Sequence, residues 1–126
     1  MAVKDLRIVV VDDSVFVRDC LNRALPKIDG CRIVGLAADG EEALRMIHAL
    51  EPNIVVLDIA MPVRNGIEVL QEIRRRDSTT TVIMFTSSSS LHLKQVCFDA
   101  GADYYLEKTQ FDDLLNICRL EQLNVD

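Results

Sequence analysis

The chain has 126 residues, 49% of them hydrophobic and 27% charged, and 14 Lys and Arg stand against 20 Asp and Glu for a net charge of −6. That length suits one domain (1–126) able to bury about two-thirds of its unfolded surface. The acidic balance excludes broad nucleic-acid binding, which needs a basic surface to displace counterions. No apolar stretch has the length of a membrane span. Ile8–Val11 is too short for a secretory core and runs straight into two aspartates, so a cytoplasmic chain is expected. Cys20, Cys31, Cys97 and Cys118 lack CxxC spacing and lie in apolar stretches, the pattern of buried free thiols.

In chain order, LRIVVV (6–11) reads as a strand covered on both faces and ends on Asp12-Asp13. Phe16, Cys20 and Ala24 mark the stripe of a first helix. CRIVGLA (31–37) is a second strand after Gly30, and Arg32 within it suggests a sheet edge. Asp39-Gly40 is a turn or cap before a helix marked by Ala43, Ile47 and Leu50, which Pro52 closes. NIVVLD (53–58) is the third strand, ending on Asp58 just before Met61-Pro62. Ile67, Leu70 and Ile73 mark the third helix, and Arg74-Arg75-Arg76 at its end are expected to face solvent and complement the helix dipole. TVIMFT (81–86) leads into Thr86-Ser87, and Ser89 or Ser90 is suited to cap a helix striped by Leu93, Val96, Cys97 and Ala100. After Gly101, DYYLEK (103–108) ends on Lys108, and Phe111, Leu114, Leu115 and Cys118 mark a fifth helix running toward Asp126.

Strict strand–helix alternation predicts an α/β fold, a doubly wound five-stranded parallel sheet with right-handed crossovers. Ligands on such sheets bind beyond the carboxyl ends of the strands. Four of those ends carry chemistry: Asp12-Asp13, Asp58, Thr86-Ser87 and Lys108. Each alone is an ordinary turn or strand-end residue. Together, three carboxylates on one rim repel each other, which favours protonation or a hard divalent cation. Oxygen ligands on an open site suit Mg²⁺.

The motifs VVVDDS (9–14), VVLDIAMPVRNG (55–66), MFTS (84–87) and GADYYLEK (101–108) resemble, in order and spacing, the receiver domain of two-component response regulators. The resemblance implies a flavodoxin-like fold with strand order 2-1-3-4-5. It implies that Asp58 takes a phosphoryl group from a sensor histidine kinase or phosphotransfer protein, as carboxylate nucleophiles do. Asp13, Asp58 and the Ala60 carbonyl would then bind Mg²⁺ directly, and Asp12 through water. Lys108 and the metal would neutralise the transferring group. Thr86 and Tyr105 would form the switch, repacking the surface of helix four, strand five and helix five for a downstream protein target or a homodimer. Ala60 and Ser88 would tune the phosphoryl lifetime. Such a protein is a phosphoacceptor that catalyses its own phosphorylation and dephosphorylation rather than an enzyme acting on other substrates.

One position departs from the family. Thr109 stands where a proline joined by a cis bond is usual, and a cis bond to any other residue costs about 2.5–4 kcal/mol. Either that bond persists or the loop runs trans and displaces Lys108; the rim's negative charge favours Lys108 staying in place. The fifth helical pattern ends near Asp126, which leads to the expectation of a stand-alone receiver. The alternative is a degenerate receiver that binds partners without phosphorylation. A haloacid-dehalogenase-type hydrolase would need an acid where Ala60 stands, and a dinucleotide binder a glycine-rich loop where DDSVFVRD stands. His48 and His92 lack partner motifs and read as structural or surface residues.

Overall fold

A computed structural model describes residues 5–76 and 79–123. The elements are β1 (Leu6–Val11), α1 (Val15–Ala24), a 3-10 turn (Leu25–Lys27), β2 (Cys31–Ala37), α2 (Gly40–Leu50), β3 (Ile54–Leu57), α3 (Gly66–Arg76), β4 (Thr81–Thr86), α4 (Leu91–Asp99), β5 (Tyr104–Glu107) and α5 (Phe111–Leu123). The strands pair in parallel in the order β2-β1-β3-β4-β5. The flavodoxin-like α/β fold and the edge position of β2 are both as expected.

Alternation along each strand sends neighbouring side chains to opposite faces. Val9, Val11, Val55, Leu57, Val82 and Met84 form one core with buried residues of α2, α3 and α4. Ile8, Val10, Val56, Ile83 and Phe85 form the other, with Leu21 of α1 and Leu114 and Cys118 of α5. Strands buried on both faces need continuous apolar runs, which is why β1, β3 and β4 read so plainly. Helix starts are capped where the sequence offered a hydroxyl or carboxylate: Ser90 accepts from the Leu93 amide and Asp39 from the Glu42 amide.

Two expectations need correction. The stripe Phe16, Cys20, Ala24 is out of phase, since Phe16 is 75% exposed and α1 buries Leu21 with Val17 packed beside it. Three consecutive apolar residues, Val15, Phe16 and Val17, made the phase ambiguous; Val17 and Leu21, one turn apart, share the buried face. Arg74 does not simply face solvent. Its Nε donates to the Gly101 carbonyl at 2.8 Å, Nη1 to the Thr80 carbonyl at 2.7 Å, and Nη2 pairs with Asp103 at 2.8 Å. One guanidinium thus ties the end of α3 to the start of β4 and the α4–β5 turn. Arg74→Met keeps the stem and strips these bonds, so urea unfolding should show a loss of about 2–3 kcal/mol. Arg75 and Arg76 are exposed as expected, as are both histidines.

The four cysteines are free; Cys31, Cys97 and Cys118 are buried and Cys20 is half-buried. Burial pushes the three buried thiols up, Cys118 to about 12. No described helix is long and apolar enough to cross a membrane. The expectation about the end of the chain near Asp126 lies outside the described residues.

Candidate phosphoacceptor and metal site

The rim is assembled by backbone bonds just past the strands. β3 and β5 are each shorter than expected, so Asp58 and Lys108 lie one residue beyond them. Both are still held by the sheet: the Asp58 amide donates to the Val11 carbonyl at 3.0 Å and the Lys108 amide to the Thr86 carbonyl at 2.8 Å. The Asp12 amide donates to the Ala37 carbonyl at 3.0 Å. Asp12 and Asp58 are buried, while Asp13 is exposed.

Carboxylate oxygens of Asp12, Asp13 and Asp58 lie within 4.8 Å of one another. Lys108 Nζ reaches Asp12 Oδ2 at 2.9 Å and Asp58 Oδ2 at 3.2 Å. The remaining oxygens have backbone donors: Asp12 Oδ1 accepts from the Ser14 amide at 2.9 Å, and Asp58 Oδ1 from the Ile59 amide at 2.8 Å. A cluster of hard oxygen donors with three carboxylates and one ammonium keeps a negative surplus, which fits a divalent cation such as Mg²⁺.

Among the described residues every peptide bond is trans, Lys108–Thr109 included. The two alternatives foreseen for Thr109 therefore both fail in part: the loop runs trans, and Lys108 is still in place. A turn closed by the Gln110 amide on the Glu107 carbonyl at 2.8 Å carries the chain past Lys108.

Burial pulls the Lys108 amine down, but hydrogen bonding to Asp12 and the charges of Asp58 and Asp12 outweigh it and raise it, so its charged form is favoured. Burial raises Asp12, and the Ser14 amide and Lys108 only partly offset this. The two directions agree physically: the pair attracts, yet Asp12 is too deeply buried for one ammonium to restore its usual acidity. An aspartate raised in the fold binds protons that the unfolded chain releases, so its contribution weakens the fold as pH rises above the ordinary value of 3.8. With metal chelated, Asp12→Asn should therefore raise the thermal midpoint at pH 7, and the gain should vanish as pH falls below 3.8. Melting curves of both chains across pH check this.

Thr86 is buried at the end of β4. The Tyr105 hydroxyl donates to the Ser88 carbonyl at 2.9 Å, linking β5 to the β4–α4 loop. Burial raises this phenol, and the Ser88 side chain only partly offsets it. Ala60 is exposed and Ser88 half-buried.

Three features were missed. Ser14 caps α1, a role legible from a serine just before an apolar run. Arg18 Nη1 donates to the Asp12 carbonyl at 2.7 Å, a contact with no short-range signal. The β3–α3 loop is also tightly built. The Arg64 amide donates to the Pro62 carbonyl at 2.8 Å across Val63, whose φ is 69°, a γ-turn of the rare positive-φ kind. The Gly66 amide closes the loop on the Ile59 carbonyl at 2.8 Å.

Residues 8–119 match the family model described as the response regulator receiver domain. The chain is 41% identical over 103 residues to Response regulator MprA of Mycolicibacterium vanbaalenii, covering 82% of this chain and 44% of that protein. It is also 41% identical over 87 residues to a protein-glutamate methylesterase/protein-glutamine glutaminase of Geobacillus kaustophilus, covering 69% of this chain and 25% of that protein. The chain thus spans less than half the length of these curated relatives. Among solved structures, the response regulator domain of Thermotoga maritima CheB superposes with a TM-score of 0.86 at 31% identity, covering 98% of this chain and 99% of that one. CheX-CheY-BeF3-Mg+2 from Borrelia burgdorferi contains a chain matching at TM-score 0.82 and 32% identity, covering 96% of this chain and 90% of that one. Fold, rim and similarity agree, and the chain belongs to the receiver domains of two-component response regulators.

Proposed function

We propose that this chain, as one self-contained domain, accepts a phosphoryl group on Asp58 and reports it to a protein partner. The observation that carries this is Lys108 Nζ shared between Asp12 and Asp58 at 2.9 and 3.2 Å. A carboxylate Oδ of Asp58 attacks phosphorus, a P–O bond to Asp58 forms, and the bond to the donor breaks. The electron pair of that bond leaves with the donor, a histidine imidazole on a kinase or phosphotransfer protein. Lys108 offers its ammonium to the charge on the transferring group. Asp12, Asp13 and Asp58, with the Ala60 carbonyl, would hold Mg²⁺, which when bound supplies further neutralisation of that charge.

The downstream consequence rests on Thr86 and Tyr105. A phosphoryl group adds strong acceptor oxygens on the rim, and the Thr86 hydroxyl is the switch donor beside it. The Tyr105–Ser88 bond already joins β5 to the β4–α4 loop, so motion of Thr86 changes the surface of α4, β5 and α5 through this tether. Ala60 and Ser88 shape water access to the phosphoryl group. Lys108 in place across a trans bond favours this reading over a phosphorylation-independent binding module. A reducing cytoplasm suits the four free thiols.

Incubation with acetyl phosphate tests the reading by intact-mass measurement. Phosphoryl uptake in Mg²⁺ that chelator abolishes supports it. No uptake from acetyl phosphate or a phosphohistidine donor, with Mg²⁺ bound, overturns it in favour of the binding module.

A further inference from the structure

Val63 poses a problem that the phosphoacceptor reading leaves open. A β-branched residue at φ 69° is held in a costly conformation, and the residue is 74% exposed, so its own packing does not hold it there. The constraint must come from its neighbours. On one side Arg64 is anchored by the first turn of α2. A Cβ at Gly40 would lie 2.5 Å from the Arg64 carbonyl oxygen and 2.6 Å from the Arg64 Cβ, so the helix start presses directly on this backbone. Glu41 Oε1 pairs with Arg64 Nε at 2.7 Å.

The anchor is itself fixed. Asp39 accepts from the Glu42 amide at 2.9 Å, and Glu42 Oε1 accepts from the Ala38 amide at 2.8 Å. Ala38 follows Ala37, whose carbonyl takes the Asp12 amide. The segment from Asp58 through Ala60 to Gly66 is therefore held at one end by β3 and, at Arg64, by α2.

We propose that Gly40 and Glu41, acting through Arg64, are positioning residues that set the path of the Asp58–Gly66 loop and with it the metal-binding geometry. The metal part rests on the Mg²⁺ reading above; the loop part does not. An exposed ion pair adds little to global stability, so its effect should appear in loop geometry rather than in the melting midpoint.

Glu41→Gln, Arg64→Gln and the swapped double variant Glu41→Arg/Arg64→Glu test this. Readouts are amide hydrogen exchange of Gly66 by NMR, Mg²⁺ affinity by calorimetry, and the thermal midpoint. Each single variant should speed Gly66 exchange and weaken Mg²⁺ binding about 10-fold, the low end for groups that orient metal ligands. The midpoint should barely move, and the swap should recover most of both losses. Arg64→Gln is decisive in sign: losing a nearby cation by charge alone would tighten Mg²⁺ binding, whereas a freed loop weakens it. Unchanged Gly66 exchange in both singles, or tighter Mg²⁺ binding in Arg64→Gln, overturns the proposal. If the wild type binds no Mg²⁺ yet Gly66 exchange speeds up in both singles, the loop anchor stands and the metal reading falls.

Discussion

Asp58→Asn is expected to abolish phosphoryl uptake, by at least about 10³-fold as where a catalytic nucleophile is removed, while the fold is kept. Asn has the same shape, and its Oδ1 can accept from the Ile59 amide as Asp58 Oδ1 does at 2.8 Å. Its Nδ2 would then face Lys108 Nζ where Oδ2 now accepts at 3.2 Å. Two donors cannot satisfy each other, so Lys108 turns wholly to Asp12. The variant loses the nucleophilic oxygen and one of three clustered carboxylates, and relief of that repulsion protects the fold. Intact mass after acetyl phosphate treatment, beside a thermal melt, reads both effects. Uptake that persists in the folded variant would move the acceptor role to another side chain.

Gly66→Ala is expected to cost about 3–5 kcal/mol, at the severe end for one added methyl. A Cβ there would lie 2.0 Å from the Asp58 carbonyl oxygen, 2.8 Å from its carbonyl carbon and 2.9 Å from the Ile59 Cα. All three atoms are backbone, so no side-chain rotation relieves the clash. Glycine is required here for close approach, not for an unusual φ. The start of α3 must retreat, and the Gly66–Ile59 bond that closes the loop breaks. Urea unfolding measures the loss, and Mg²⁺ calorimetry on any folded fraction should show weaker binding. Wild-type stability would mean that the loop has an alternative path past Asp58.

The sheet was legible because burial on both faces demands apolar runs, and β1, β2 and β4 have the ends read from the sequence. Asp58 and Lys108 were legible because they interrupt or end such runs. Positions governed by a helix's rotation were harder: Phe16 and Val17 are both apolar, and it is Val17, one turn before the buried Leu21, that packs on the core. Long-range polar contacts were not legible at all. Nothing in the run Arg74-Arg75-Arg76 distinguishes the arginine that bonds to Gly101, Thr80 and Asp103, since its partners are set by where three elements meet. Arg64 and Glu41 stand in the same relation, neighbours only once α2 and the β3–α3 loop have come together.

The thiols carry a practical consequence. Cys31, Cys97 and Cys118 are sealed in the cores and their burial disfavours the thiolate that reacts with alkylating reagents. Cys20 alone is partly accessible, and it lines an apolar groove with Phe16, Phe111 and Lys108. The chain contains no tryptophan. A maleimide dye should therefore attach at Cys20 without mutagenesis and sit beside the rim, where its emission can follow a docking donor against a dark background.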